Sequence, residues 1–188
     1  SFWPGGCDRS WPEGCGAADC DAELMEPSVM EPRRTALICV CSVGRALHLC
    51  HEVGLPNVGI TYDVGHALVA REAPAATTAL ALEAGRLFYM HFNDNARDWD
   101  WDMIPGSVNV WDLLETLYYL DRSGWEGWLC YDVLTRSGDD VVGVQSATID
   151  VMRSALALLD KIGRCRLAEL IAAGAPHESV PSLWRALL

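Results

Sequence analysis

The chain has 188 residues, 51% of them hydrophobic, and a formal net charge of -12 at pH 7. That length and apolar content suit one domain with a sizeable core and exclude a chain that is disordered throughout. The acidic balance, with Lys161 as the one lysine, argues against a nucleic-acid partner, because phosphate binding needs clustered Lys and Arg.

Residues 1–21 read as irregular, since Pro4, Gly5-Gly6, Pro12 and Gly14-Cys15-Gly16 break any periodicity. Ala22 to Met25 has the composition of a short strand, and Pro27 and Pro32 then hold Ser28 to Glu31 extended. Residues 36–41 read as a strand or as a buried loop leading into the next helix. Ser42 is the expected N-cap of that helix, with Gly54 as its C-terminal stop and Pro56 beyond. Asn57 to Val64 reads as a strand. Pro74 suits a helix N1 position, Ala75 to Ala84 continues the helix, and Gly85 ends it. Leu87 to Phe92 is the next strand, and residues 93–107 form a polar loop long enough to suggest function. A helix over Val110 to Leu120, a strand over Gly127 to Val133, a long helix from about Asp140 to Ile162 and a helical tail from Arg166 complete the pattern.

Strand and helix therefore alternate, which predicts an α/β fold with parallel β/α units. Three or four units are visible, whereas a complete (β/α)8 barrel has eight units and about 250 residues. The expected organisation is an irregular segment over 1–21, an α/β domain over 22–165 and a helical tail over 166–188. No apolar run approaches the roughly 20 residues that span a bilayer, and no secretory signal is evident, so the chain reads as soluble and cytoplasmic. None of the eight cysteines forms a CxxC pair, and Cys39-x-Cys41 alone is too weak for a zinc site. Free thiols are expected, with a disulfide among Cys7, Cys15 and Cys20 as the alternative.

Acidic and histidine residues stand at the ends of the apolar runs. Asp63 and His66 close one, His91 ends the next, and Asp132 follows Trp128-Leu129-Cys130-Tyr131. In a parallel β/α array the C-terminal strand ends share one face, so these side chains are expected to converge. One or two imidazoles among several carboxylates suit Mn²⁺, Mg²⁺ or Co²⁺. Asp98-Trp99-Asp100-Trp101-Asp102 alternates acid and aromatic, placing Asp100 and Asp102 to chelate a cation and the tryptophans to face a sugar ring or shield the site. Glu26, held by Pro27, projects to the same rim on this reading. The plainer alternatives are an Asp63 that caps a helix, a His91 bonded to a backbone carbonyl, and a solvated acidic loop.

The stretch Glu26 to Arg33 resembles the Glu-Pro-Lys-Pro-x-Glu-Pro-Arg segment of xylose isomerase. Asn57 to Leu68, His91 to Asn95 and Trp99 to Ser107 are similar to motifs of L-rhamnose isomerase-like members of the xylose isomerase-like TIM barrel superfamily. The resemblance covers roughly residues 22–160. It implies the C-terminal half of a (β/α)8 barrel, about strands 5–8, with strands 1–4 expected upstream and the chain incomplete as given. It implies a metal-dependent sugar isomerase that interconverts aldose and ketose, with Mn²⁺ expected and Co²⁺ or Mg²⁺ as alternatives. Glu26, Asp63, His91 and Asp132 match the ligands of one cation. His66, Asp100 and Asp102 match the group around a second, and His66 is the expected catalytic residue. The expected partner is a small-molecule sugar, with a homo-oligomer possible through the open sheet edges. Ser28 stands where the resembling enzymes carry a lysine that polarises the substrate carbonyl, so the chain alone is expected to be nearly inactive. A sugar epimerase of the same superfamily and a non-catalytic remnant are the alternatives.

Overall fold

In the computed structural model, residues 23–25 and 41–188 are described. Four strands, β1 (Glu23–Met25), β2 (Val58–Asp63), β3 (Leu87–Phe92) and β4 (Trp128–Tyr131), form one sheet in sequence order, and every neighbouring pair is parallel. Parallel neighbours need crossover connections, and helices supply them. α1 (Val43–Val53) precedes β2, α2 (Val64–Val69) and α3 (Pro74–Glu83) separate β2 from β3, and α4 (Val110–Ser123) separates β3 from β4. Three helices follow, α5 (Val141–Ile162), α6 (Arg164–Ala173) and α7 (Pro176–Leu187). The result is an open α/β sheet of the kind that makes up part of a barrel.

β2 lies at the centre and all six of its residues are buried, as a parallel strand covered on both faces should be. Its Tyr62 is fully buried, and the hydroxyl is satisfied by the Pro74 carbonyl at 3.0 Å and Thr77 Oγ1 at 2.7 Å. That pair of bonds locks the start of α3 to the strand. Ile60, Met90, Phe92, Leu117 and Leu68 fill the core beneath the helices. α1 begins where expected, with Ser42 Oγ accepting from the Arg45 N–H at 3.4 Å, and stops at Gly54 in the left-handed conformation (φ 68°). Arg164 ties α6 to the rest of the helical layer through Asp121 of α4 and Asp160 of α5.

Several boundaries differ from the sequence reading. β2 ends at Asp63, because Asp63 caps α2, a short helix that the sequence reading had not separated from the strand. β4 is only four residues long, so Asp132 lies just past it. The helical tail divides into α6 and α7 at Gly174. α5 corrects the expectation about apolar runs: 22 residues long, it is long and apolar enough, by length and composition, to cross a membrane. Asp150, Arg153, Asp160 and Lys161 interrupt its sequence, while Thr148, Met152, Ala155 and Leu159 are buried in the fold. Among the described residues, Cys41, Cys50 and Cys130 are free thiols. The strand expected at 36–41 lies, apart from Cys41, outside the described residues, as do Cys7, Cys15 and Cys20.

A cavity of about 460 Å³ opens between α4, α5, α6 and α7, lined largely by apolar side chains such as Trp111, Leu114, Leu167 and Trp184. It shares no residue with the acidic rim described below.

A candidate metal centre at the strand ends

Strand register brings the expected residues together. Asp63 of β2 pairs with His91 of β3, and His91 pairs with Cys130 of β4, so Asp132 follows two residues beyond on the same pleat. The Asp132 N–H donates to the Phe92 carbonyl at 3.3 Å, which extends the β3–β4 pairing to that point. His91 Nδ1 lies 3.3 Å from Asp63 Oδ2 and 3.5 Å from Asp132 Oδ2. One ligand atom from each of the three falls within 4.8 Å of the others, close enough for a single ion. Tyr89 sets its ring edge-on to the His91 ring, with centroids 5.4 Å apart.

Asp63 serves two purposes. Its Oδ1 accepts the His66 N–H at 2.9 Å, the N-cap bond of α2, while Oδ2 faces His91. The helix-cap alternative is therefore real, and it does not compete with the ligand role. Burial alone would push this carboxyl up. The hydrogen bond from His91, the charge of His66 and the cap bond outweigh burial and hold it below its ordinary value, so Asp63 is ionised and ready to bind a cation.

A second group forms beside the first. The cap at Asp63 starts α2 so that His66 sits on the rim, with Nε2 2.8 Å from Asp100 Oδ2. Among the described residues, Asp100 Oδ1 is buried and has no hydrogen-bond partner. Asp102 stands in the left-handed conformation (φ 47°), a position unusual for a residue other than glycine. Its carboxyl is pushed up to about 6, first by burial and then by Asp100, Asp132 and Asp63. Four carboxylates thus crowd one small region.

That crowding is the test of whether a divalent cation fits. Hard oxygen donors with one or two imidazoles match Mn²⁺, Co²⁺ or Mg²⁺. The orphaned Asp100 oxygen and the mutual repulsion felt at Asp102 are both relieved by a cation, so the residues fit the group.

The loop carrying Asp100 and Asp102 is built rather than loose. The buried Asp94 accepts the Val108 and Asn109 N–H groups at 2.8 and 2.9 Å and the Asn109 side-chain amide at 2.6 Å. Asp94 also pairs with Met103 in an antiparallel bridge, closing a tight loop around the Asp-Trp repeat. Trp99 and Trp101 are partly exposed, not packed beneath the loop, and the Arg136 guanidinium lies 5.7 Å from the Trp101 ring centre.

The structure thus joins Asp63, His91 and Asp132, and separately His66 and Asp100, with Asp102 beside both. Glu26 and Ser28 lie outside the described residues. Asn93, inside the His91–Asn95 stretch but not among the expected site residues, is the buried link between the two groups. Its Nδ2 donates to Asp63 Oδ1 at 3.2 Å and to Asp102 Oδ1 at 3.1 Å. Its one sequence signal is its place directly after the strand that carries His91.

A family model described as xylose isomerase-like TIM barrel matches residues 23–169. Among curated proteins, the chain is similar to the xylose isomerase of Thermus thermophilus, with 29% identity over 155 residues. That alignment covers 79% of this chain and 40% of the enzyme, so the chain spans well under half of that relative's length.

Proposed function

Because the chain belongs to the xylose isomerase-like TIM barrel family, we propose that it is the C-terminal half barrel of a metal-dependent sugar isomerase acting between an aldose and a ketose. The observation that carries this reading is the convergence of Asp63, His91 and Asp132 from three adjacent strand ends. Glu26 would complete this ligand set, and His66, Asp100 and Asp102 would hold a second cation. The family resemblance makes Mn²⁺ the expected cation, with Co²⁺ or Mg²⁺ as alternatives. The motifs around Asp63 and His91 favour the L-rhamnose isomerase-like branch, with a small cytoplasmic sugar as substrate.

When bound, a divalent cation supplies Lewis-acid polarisation of sugar oxygens. The chain's own residues supply the rest. His66 Nε2 stands 2.8 Å from Asp100 Oδ2, close enough for a proton to pass between the two side chains. Asp102, crowded by Asp63, Asp100 and Asp132, adds a further carboxylate for the cation. Trp99 and Trp101 offer partly exposed aromatic faces of the kind that stack on sugar rings. Asp94 fixes the loop that carries Asp100, Asp102 and both tryptophans.

One observation favours a second reading. The His66–Asp100 pair, 2.8 Å apart, also suits proton transfer across one carbon, as in an epimerase. Ser28, in the place of the resembling enzymes' lysine, points instead to weak or absent catalysis by this chain alone. The test joins the chain to four upstream β/α units from a family member and assays aldose-to-ketose conversion with Mn²⁺. Metal-dependent turnover that is lost in His66→Ala supports the isomerase. Epimerisation without aldose–ketose exchange supports the second reading. Absence of both activities, together with no Mn²⁺ binding, contradicts the proposal.

A further inference from the structure

We propose that Asn93 is a positioning residue that couples the two ligand groups of the rim by holding Asp102 against Asp63; this rests on the metal-binding reading above. Asn93 is 1% exposed, and every polar atom of its side chain is committed. Oδ1 accepts the Gly65 N–H at 2.6 Å. That bond fixes which way the amide faces, because the flipped amide would set two donors against each other. Nδ2 must then face the rim, and its two hydrogens reach Asp63 Oδ1 and Asp102 Oδ1. A neutral donor therefore stands between two acids that would otherwise repel.

Gly65 makes the arrangement possible. A Cβ on Gly65 would lie 2.5 Å from Asn93 Oδ1, so only glycine admits the amide this closely. The two carboxylates depend on Asn93 unequally. Asp63 is also held by the His66 N–H and faces His91. Asp102 takes its side-chain hydrogen bond from Asn93 while its backbone is in a strained left-handed conformation (φ 47°). Its carbonyl accepts the Leu134 N–H at 3.0 Å, which anchors the backbone but leaves the carboxyl direction to Asn93. Loss of Asn93 should therefore release Asp102 first and spare Asp63.

Two measurements on the 188-residue chain test this, using Asn93→Ala and Asn93→Asp, the latter keeping an acceptor for Gly65. In the metal-free protein, urea midpoints are measured for Asn93→Ala, Asp102→Ala and the double variant. Non-additive midpoint shifts are expected, and fully additive shifts overturn the coupling. In the second arm, Co²⁺ alone is titrated by calorimetry and visible absorption. The step assigned to His66, Asp100 and Asp102 should weaken about 10–100-fold in either variant, as for other residues that orient metal ligands. The step assigned to Asp63, His91 and Asp132 should weaken much less. Adding Asp102→Asn to Asn93→Ala should cause no further loss. Two unchanged steps, or equal losses at both, overturn the role of Asn93. If the unaltered chain binds no Co²⁺, the metal-binding reading falls, and the urea cycle still decides whether Asn93 positions Asp102.

Discussion

His66 Nε2 lies 2.8 Å from Asp100 Oδ2, tying the first turn of α2 to the loop that follows β3. The contact joins two segments far apart in sequence at the side of the rim where Asp100 leaves a buried oxygen without a partner among the described residues. Asp100→Asn removes the negative charge while keeping the shape. Affinity for Mn²⁺ at this group is expected to fall about 10–100-fold. Stability of the metal-free chain should change less than metal affinity, because the neutral amide keeps the shape and removes the repulsion between Asp100 and Asp102. Equilibrium dialysis and urea unfolding of the same preparation separate the two effects.

Asp102 predicts a pH dependence. Its carboxyl titrates at about 6 in the folded chain against an ordinary 3.8. Between those values the native state binds more protons than the unfolded state, so stability falls as pH rises through this window. Asp102→Asn should remove that decline. The metal-free variant should have a higher urea midpoint than the native sequence at about pH 7.5, and the two should converge below about pH 4. A difference that does not change across this range would contradict the assignment. A cation must also displace that proton, so Mn²⁺ affinity should rise with pH through about 6.

Gly65→Ala introduces a Cβ 2.5 Å from Asn93 Oδ1, inside a fully packed region. Overpacking of this kind costs about 1–3 kcal/mol. Denaturant unfolding should show that loss, and Mn²⁺ binding should weaken with it, because Asn93 must move. A neutral effect on both would show that the amide has room to shift.

The outer edge of β4 is expected to cause self-association. Among the described residues β4 pairs only with β3, and Trp128 on that strand is 78% exposed. An unpaired strand edge with an exposed aromatic side chain is a template for pairing with another chain. Light scattering should show species heavier than 20.6 kDa that diminish in Trp128→Lys. A monomer at every concentration would contradict this.

Much of this fold is legible in the sequence because burial and local chemistry agree. β2 and β3 are short apolar runs, and α1 carries its own start and stop in Ser42 and Gly54. α2 escaped because Asp63 reads equally well as a strand residue and as a cap, and the structure uses it as both. Asp63, His91 and Asp132 were legible as a group because parallel strands put their ends on one face. Asn93 was not, since a neutral amide carries no sign of its partners. Its role depends on the β2–β3 register and on the turn at Asp102, both tertiary facts.

Asp63, His91 and Asp132 are proposed to hold a divalent cation. Calorimetric titration of Mn²⁺ into the native chain, Asp63→Ala and His91→Ala tests it most directly, with urea unfolding of each metal-free protein as the check on folding. Saturable binding by the native chain is expected, with a loss of at least about 10-fold in affinity for each folded variant. Binding that is absent from the native chain, or unchanged in both variants, would contradict it.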